Sequence, residues 1–192
     1  MNTDALFKVL SAIHPISEDF KASLKEELIP LSLPKNYLLL EAPRIAEFVY
    51  FIENGFAMSY TFQGGKKLTE AFWKSGQIMT SANSFFEQVL SMEYIQLVEK
   101  SELLCVSRAG VQRLFDKHRE AHFLYHKIMN KHYLHCRSRI HDIQLLSASQ
   151  RFETLLKLFP DIEQAITQES IASYLSITPQ SLSRLKRERK NS

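Results

Sequence analysis

The stretch TQESIASYLSITPQSLSRLKRERK, Thr167 to Lys190, restricts the chain more than any other, because it reads as two short helices separated by a tight break. Thr167 is placed to cap the first helix, with Glu169 favourable in its first turn. Ile171, Ala172 and Leu175 recur at helical spacing and give that helix one buried face. Ser176-Ile177 interrupts the pattern. Thr178 followed by Pro179 restarts it, as an N-cap and a proline at the first helical position. In the second helix Leu182 and Leu185 fall on one side, while Gln180, Ser181, Arg184, Arg187 and Glu188 fall on the other. A narrow apolar face opposite an amide, hydroxyls and basic groups suits a helix lying in a DNA major groove. The stretch therefore reads as a helix-turn-helix. The plainer alternative is an amphipathic hairpin of helices whose basic tail, Arg184, Lys186, Arg187, Arg189 and Lys190, faces water.

Charge supports this only locally. The formal net charge is +3 over 192 residues, so a nucleic-acid partner is inferred from the C-terminal cluster and not from the total. With 45% hydrophobic and 23% charged residues, the chain has ample material for a core, and its length suits one large or two small domains. No run is long and apolar enough to span a bilayer, so no membrane partner is expected. MNTDALFKVL lacks the basic, apolar and small-residue regions of a secretory leader, and a cytoplasmic location is the expectation. Cys105 and Cys136 make neither a disulfide framework nor a four-ligand cluster.

The first 30 residues carry helical spacing, in Leu6, Val9 and Leu10 and again in Phe20, Leu24 and Leu28. His14-Pro15 breaks the run and Ser17 restarts it. After Pro30 the period changes. Tyr37–Leu40, Phe48–Ile52, Ala57–Phe62, Leu68–Trp73, Tyr94–Val98 and Leu103–Val106 are short aromatic and β-branched runs, punctuated by Asn54-Gly55, Gly64-Gly65 and Ser75-Gly76. Strands so spaced predict a sandwich or barrel, with a hairpin at Gly64-Gly65. From about Ala109 helical spacing returns and persists into the 140s. Tyr125, Met129, Tyr133, Cys136, Ile140 and Ile143, spaced 4, 4, 3, 4 and 3, predict a long helix pairing with its twin. The other possibility is a helix packed on its own domain. Glu153 to Phe159 reads as a further helix, stopped by Pro160.

His118, His122 and His126 recur every four residues on the expected long helix, but Lys117, Arg119 and Lys127 surround them, and a solvated face is the better reading than a metal site. No G-x-S-x-G context and no phosphate-cradling Walker motif is present, so the chain does not read as an enzyme, and no cofactor is expected.

A β-barrel, a long helix and a C-terminal helix-turn-helix, in that order, resemble the Crp-Fnr superfamily of bacterial transcription regulators. The likeness rests on Asn54-Gly55 after a strand, on SASQRFETLL, and on TQESIASYLSITPQSLSRL; ASYLSITPQSLSR is especially similar to the Bacteroidetes-type branch. It implies an α+β fold: a cyclic-nucleotide-binding-like sensor (jelly roll) over residues 1–109, a dimerisation helix over 110–146 and an all-α DNA-binding domain over 147–192. It also implies a homodimer on double-stranded DNA, RNA polymerase as a further partner, and a small-molecule effector, unknown or absent. Carried over by position, Thr178 opens the recognition helix, Gln180, Ser181 and Arg184 reach bases, and Thr167, Gln168 and Ser183 fall to the phosphates; Lys186 and Arg187 are expected to contact phosphates as well. The family's cyclic-nucleotide cassette is altered. Counted from Gly76, its Gly-Glu pair falls on Thr80-Ser81; counted back from Cys105, its arginine and following hydroxyl fall on Ser91 and Met92. No lysine or arginine occurs from Gly76 to Glu99. The resemblance thus implies a regulator with a degenerate effector pocket that does not take cyclic AMP. The alternative is a small-molecule sensor that acts through protein partners and keeps a vestigial helix-turn-helix.

Overall fold

The computed structural model describes residues 3–190. Residues 1–2 and 191–192, the outer ends of the first and last expected domains, lie outside the described residues. Two helices come first, α1 (Asp4–Ile13) and α2 (Glu18–Glu27), and the Ser17 hydroxyl caps α2 by accepting the Phe20 N–H at 3.2 Å. The expected helical stretch to residue 30 ends three residues early. Ile29–Leu33 is instead a strand, β1, which pairs antiparallel with β8 (Ser101–Ser107) at the edge of its sheet. Pro30 lacks a ladder donor, and an edge strand tolerates that.

Between β1 and β8 run β2 (Leu38–Leu40), β3 (Phe48–Asn54), β4 (Phe56–Gln63), β5 (Lys66–Lys74), β6 (Ile78–Met79), the short helix α3 (Ala82–Glu87) and β7 (Tyr94–Leu97). The strands form two four-stranded sheets, β1-β8-β3-β6 and β2-β7-β4-β5. Of the expected sandwich or barrel (jelly roll), the barrel is thereby corrected: the strands make two open sheets that do not close. β2 and β6 are only three and two residues long, too short to carry a ladder around the corner from one sheet to the other.

β3 and β8 sit inside the first sheet and are buried on both faces, which is why their sequences, FVYFI and LLCV, read as unbroken apolar runs. Register assigns the faces. Tyr50 lies opposite Cys105 and packs with Ile52, Leu97 and Leu103 between the sheets; Phe51 lies opposite Leu104 and packs with Leu6, Leu10, Phe20 and Leu24 beneath the helices. Burial pushes the Cys105 thiol up to about 11, so this cysteine behaves as a small hydrophobe. Gly55 turns β3 into β4 at φ +128°, where a Cβ would strike the Ser101 side chain.

After β8, Ser107 caps α4 (Arg108–Lys117), and the long α5 (Arg119–Leu145) follows. Arg113 on α4 grips Glu27 on α2 with two bonds of 2.6 Å, and the hydrogen bond from this guanidinium holds the carboxyl below its usual range. Beyond α5 come α6 (Ala148–Leu158), α7 (Ile162–Ala165), α8 (Gln168–Tyr174) and α9 (Pro179–Lys190). Ser147 and Gln150 close a reciprocal capping box at the start of α6.

The chain divides into two compact units: residues up to Met58 with Phe72–Tyr133, and Ser59–Ala71 with the residues from Leu134 onward. The second unit has its own core in Phe152, Leu155, Ile162, Ile171, Leu175 and Leu182. The outer part of the β4–β5 hairpin belongs to it. Gly64 and Gly65, at φ +57° and +76°, make the two-residue turn of that hairpin.

Candidate nucleic-acid interface

In the second unit α8 and α9 are joined by a tight turn whose every backbone step has a local cause. Thr167 accepts the Ser170 N–H at 3.3 Å and caps α8. At the other end the Ser176 N–H reaches Ser173 O and the Ile177 N–H reaches Ala172 O, both at 3.0 Å, which closes the helix. Ser176 makes this closure with φ +56°, a left-handed conformation for which glycine is the usual residue. Thr178 then accepts the Ser181 N–H at 3.1 Å and caps α9, with Pro179 at the first helical position. Leu182, fully buried, anchors α9 to the core of the unit.

What remains outward on α9 is a stripe of Gln180, Arg184 and Arg187, all exposed. The Arg184 guanidinium is held in place by Glu188 at 3.5 Å, one turn on. Two other expected contacts are engaged elsewhere. Lys186 is bound to Glu163 on α7 at 2.8 Å with only 24% of its side chain exposed, and Ser183 donates to the Gln168 side chain at 3.3 Å, tying α9 to the start of α8. Ser181 is half-buried, its hydroxyl 3.0 Å from that of Thr178. Thr167, Gln168 and Thr178 are exposed at the helix starts.

Sequence reasoning found the caps and the stripe but missed what steadies them. Arg151 donates from Nε and Nη2 to the Leu175 carbonyl at 3.1 and 3.0 Å, and from Nη1 to Leu146 O at 2.6 Å. Arg139 donates to Tyr174 O at 3.0 Å and lies 4.5 Å over the Tyr174 ring. Two cations thus satisfy carbonyls left over at the C-terminus of α8. The burial of Tyr174 raises its phenol above the ordinary value, partly opposed by Arg139. The hairpin from the β-region completes the set: Thr69 N–H donates to Ser173 Oγ at 2.9 Å, and that hydroxyl donates to Lys67 O at 3.3 Å. Arg151 stands in the quoted SASQRFETLL segment, yet nothing in helical spacing says that it bonds a carbonyl 24 residues away.

In the first unit the altered cassette is closed on itself. Gly76 N–H donates to Ile52 O at 2.8 Å, and the Thr80 hydroxyl donates to Phe48 O at 3.0 Å. Ser81 and Ser91 are 3% and 4% exposed with their hydroxyls 3.5 Å apart, so both point inward and neither lies open to a ligand. Ser91 also accepts the Glu93 N–H at 2.9 Å, while its own N–H donates to Arg44 O at 3.0 Å. Phe85, Phe72 and Met79 are buried, whereas Met92, on which the cassette's hydroxyl position falls, is 80% exposed.

Along α5 the expected seam falls into two parts. Tyr125 and Met129 are half-buried, and the Tyr125 ring meets Phe86 and Phe115 at 4.7 and 5.8 Å. Tyr133 (60%), Cys136, Ile140 (56%) and Ile143 (37%) are exposed at spacings of 3, 4 and 3. Of the histidine run, His122 and His126 stand exposed on α5 as expected, and His118 does not. His118 closes α4 rather than standing on α5, is buried against Phe20, and has Nδ1 3.7 Å from Asp19; His122 stacks on Phe115. Among the described residues no group of three or more His, Cys, Asp or Glu is placed to hold a metal, and no helix is long and apolar enough to cross a membrane.

No protein-family model matches the chain. No curated protein matches it either. Solved structures do. A protein assigned to the crp/fnr family of transcriptional regulators, from Eubacterium rectale, matches at a TM-score of 0.73 and 15% identity over 91% of this chain and 84% of its own. The c-di-GMP responsive global regulator CLP of Xanthomonas campestris matches at 0.70 and 13% identity over 91% and 92%. The sensor domain of the transcriptional regulator DNR from Pseudomonas aeruginosa matches at 0.57 and 18% identity over 76% and 95%. At such identities the likeness is one of fold. The neighbours are transcriptional regulators, not enzymes.

Proposed function

We propose that this chain is a homodimeric, sequence-specific DNA-binding transcription regulator of the Crp-Fnr type, acting in the cytoplasm, with α9 as its recognition helix. The observation that carries the reading is the doubly capped α8–α9 pair with Gln180, Arg184 and Arg187 outward on one stripe. Arg184, steadied by Glu188, is the candidate for a guanine edge, with Gln180 one turn earlier reaching an adjacent base. Arg187 and the exposed Thr167, Gln168 and Thr178 take the phosphates. Lys186 serves the fold first, through Glu163, and Ser183 orients Gln168.

Selection of bound duplexes from a random library tests this directly. A defined two-fold symmetric site is the expected product, with half-sites about one helical turn, roughly 34 Å, apart. On that site Arg184→Ala costs about 1–3 kcal/mol and relaxes discrimination at one position. Arg187→Ala weakens all sequences alike and lowers the salt slope by about 1. Selected pools indistinguishable from random DNA at moderate salt would remove the reading.

A further inference from the structure

The C-terminal end of α5, residues 134–145, belongs to the same compact unit as α8 and α9. At the end of α8 two consecutive carbonyls are taken by guanidinium groups from outside the helix. Tyr174 O accepts Nη2 of Arg139 on α5, and Leu175 O accepts Nε and Nη2 of Arg151 on α6. One residue later the chain makes its left-handed step at Ser176, and Thr178 then caps α9. The direction of α9 therefore follows from where the end of α8 is pinned, and one of the two pins stands on α5.

Arg139 makes two contacts with one residue. Its guanidinium lies 4.5 Å over the Tyr174 ring while donating to the Tyr174 carbonyl at 3.0 Å. A planar fork that stacks on a ring and bonds at its edge admits one orientation, which the flexible point charge of a lysine does not impose. Stability alone does not account for an arginine here. Its Nε is buried and finds no acceptor among the described residues, a cost that an apolar side chain of similar length would not carry. The next residue, Ile140, is 56% exposed on the proposed dimer seam. Adjacent positions of α5 thus serve the proposed dimer contact and the end of α8.

We propose that Arg139 is a positioning residue that sets the spacing between the two half-sites the dimer accepts. The inference rests on the reading of a homodimeric regulator and adds to it the residue that specifies spacing. In a two-fold dimer each recognition helix is carried by its own α5, so a change of angle between α5 and α8 shifts both helices symmetrically about the axis. One base pair more or less between half-sites asks for a move of about 3.4 Å and a turn of about a tenth of a helical repeat. A rigid Arg139–Tyr174 contact converts that misfit into lost affinity. Without it the helix pair swings and absorbs the misfit.

The test uses the full chain and four duplexes: the selected site, the same site with one base pair added or removed at its centre, and a single half-site. Wild-type protein is expected to prefer the selected spacing by about tenfold or more. In Arg139→Met that preference falls to about threefold or less, while affinity for the single half-site stays within about twofold and unfolding remains cooperative. Arg139→Lys keeps the charge without the fork and is expected to behave as Arg139→Met does. A full spacing preference in Arg139→Met overturns the proposal. So does an equal loss on the single half-site, which would make Arg139 a part of the fold only. Should Arg139→Met fail to fold, Arg139→Lys decides by the same two criteria. A wild type that selects no duplex removes the regulator reading and this inference with it, whereas a selected site with unaltered spacing preference in the variants removes the role of Arg139 alone.

Discussion

Ser176 holds a left-handed backbone that costs a residue with a Cβ roughly 1–2 kcal/mol, and glycine there escapes the strain but loses about 0.5–1 kcal/mol to a freer unfolded chain. The balance favours Ser176→Gly by about 0.5–1 kcal/mol, and chemical denaturation followed by a signal from α8–α9 should show a higher midpoint; a lower one would mean that the hydroxyl is needed. Ser81 and Ser91 act in the opposite sense, on a ligand. A cyclic phosphate buried without a cation loses its hydration for a few neutral donors, and here the hydroxyls are already committed inside the loop. Titration with millimolar cyclic AMP is expected to give neither saturable heat nor a thermal shift. A micromolar dissociation constant would show that a distant cation such as Arg44 or Lys66 comes to the site. Both features were visible in the sequence: the turn carries Ser176 where the family that the chain resembles commonly has glycine, and no lysine or arginine occurs from Gly76 to Glu99.

At the scale of elements, strands with sharp punctuation were legible, and of the two shortest β2 was foreseen within Tyr37–Leu40 while β6 was not. The Gly64-Gly65 hairpin, the Ser17, Thr167 and Thr178 caps, and β3, β4, β5, β7 and β8 all follow from local chemistry. β1 was hidden because Pro30 and Pro34 flank an apolar run that continues the preceding helical spacing. β6, with two residues, has no period to read, and α3 ends on Gln88 in a left-handed turn that no glycine announces. The helix α5 was legible through its seam, although the helical stretch expected from about residue 110 breaks at His118; along the seam Tyr125 and Met129 are half-buried and Tyr133, Cys136, Ile140 and Ile143 exposed. The dimer contact proposed here runs along that seam, from Tyr125 and Met129 through Tyr133, Cys136 and Ile140 to Ile143. Ile140→Glu places two carboxylates near the symmetry axis and is expected to give monomers by light scattering, with greatly weakened DNA binding. A wild-type monomer at micromolar concentration would count against the seam.

For the whole molecule, composition was a poor guide and position a good one. A net charge of +3 hides a C-terminal cluster that separates into two roles: Arg184 and Arg187 outward, Lys186 and Arg189 drawn to Glu163. Spacing could place these residues on a helix, but which of them meet carboxylates depends on α7, an element too short to foresee. Nor does any local signal reveal that residues 59–71 join the C-terminal helices. That junction has a consequence in time. Thr69 and Ser173 are 104 residues apart, so at ribosomal speeds of about 5–20 residues per second the hairpin waits some 5–20 s for its partner to be made. During that interval β5 is an uncovered outer strand in a crowded cell. Lys66 and Lys67 at its start are well placed to keep nascent chains from pairing along it.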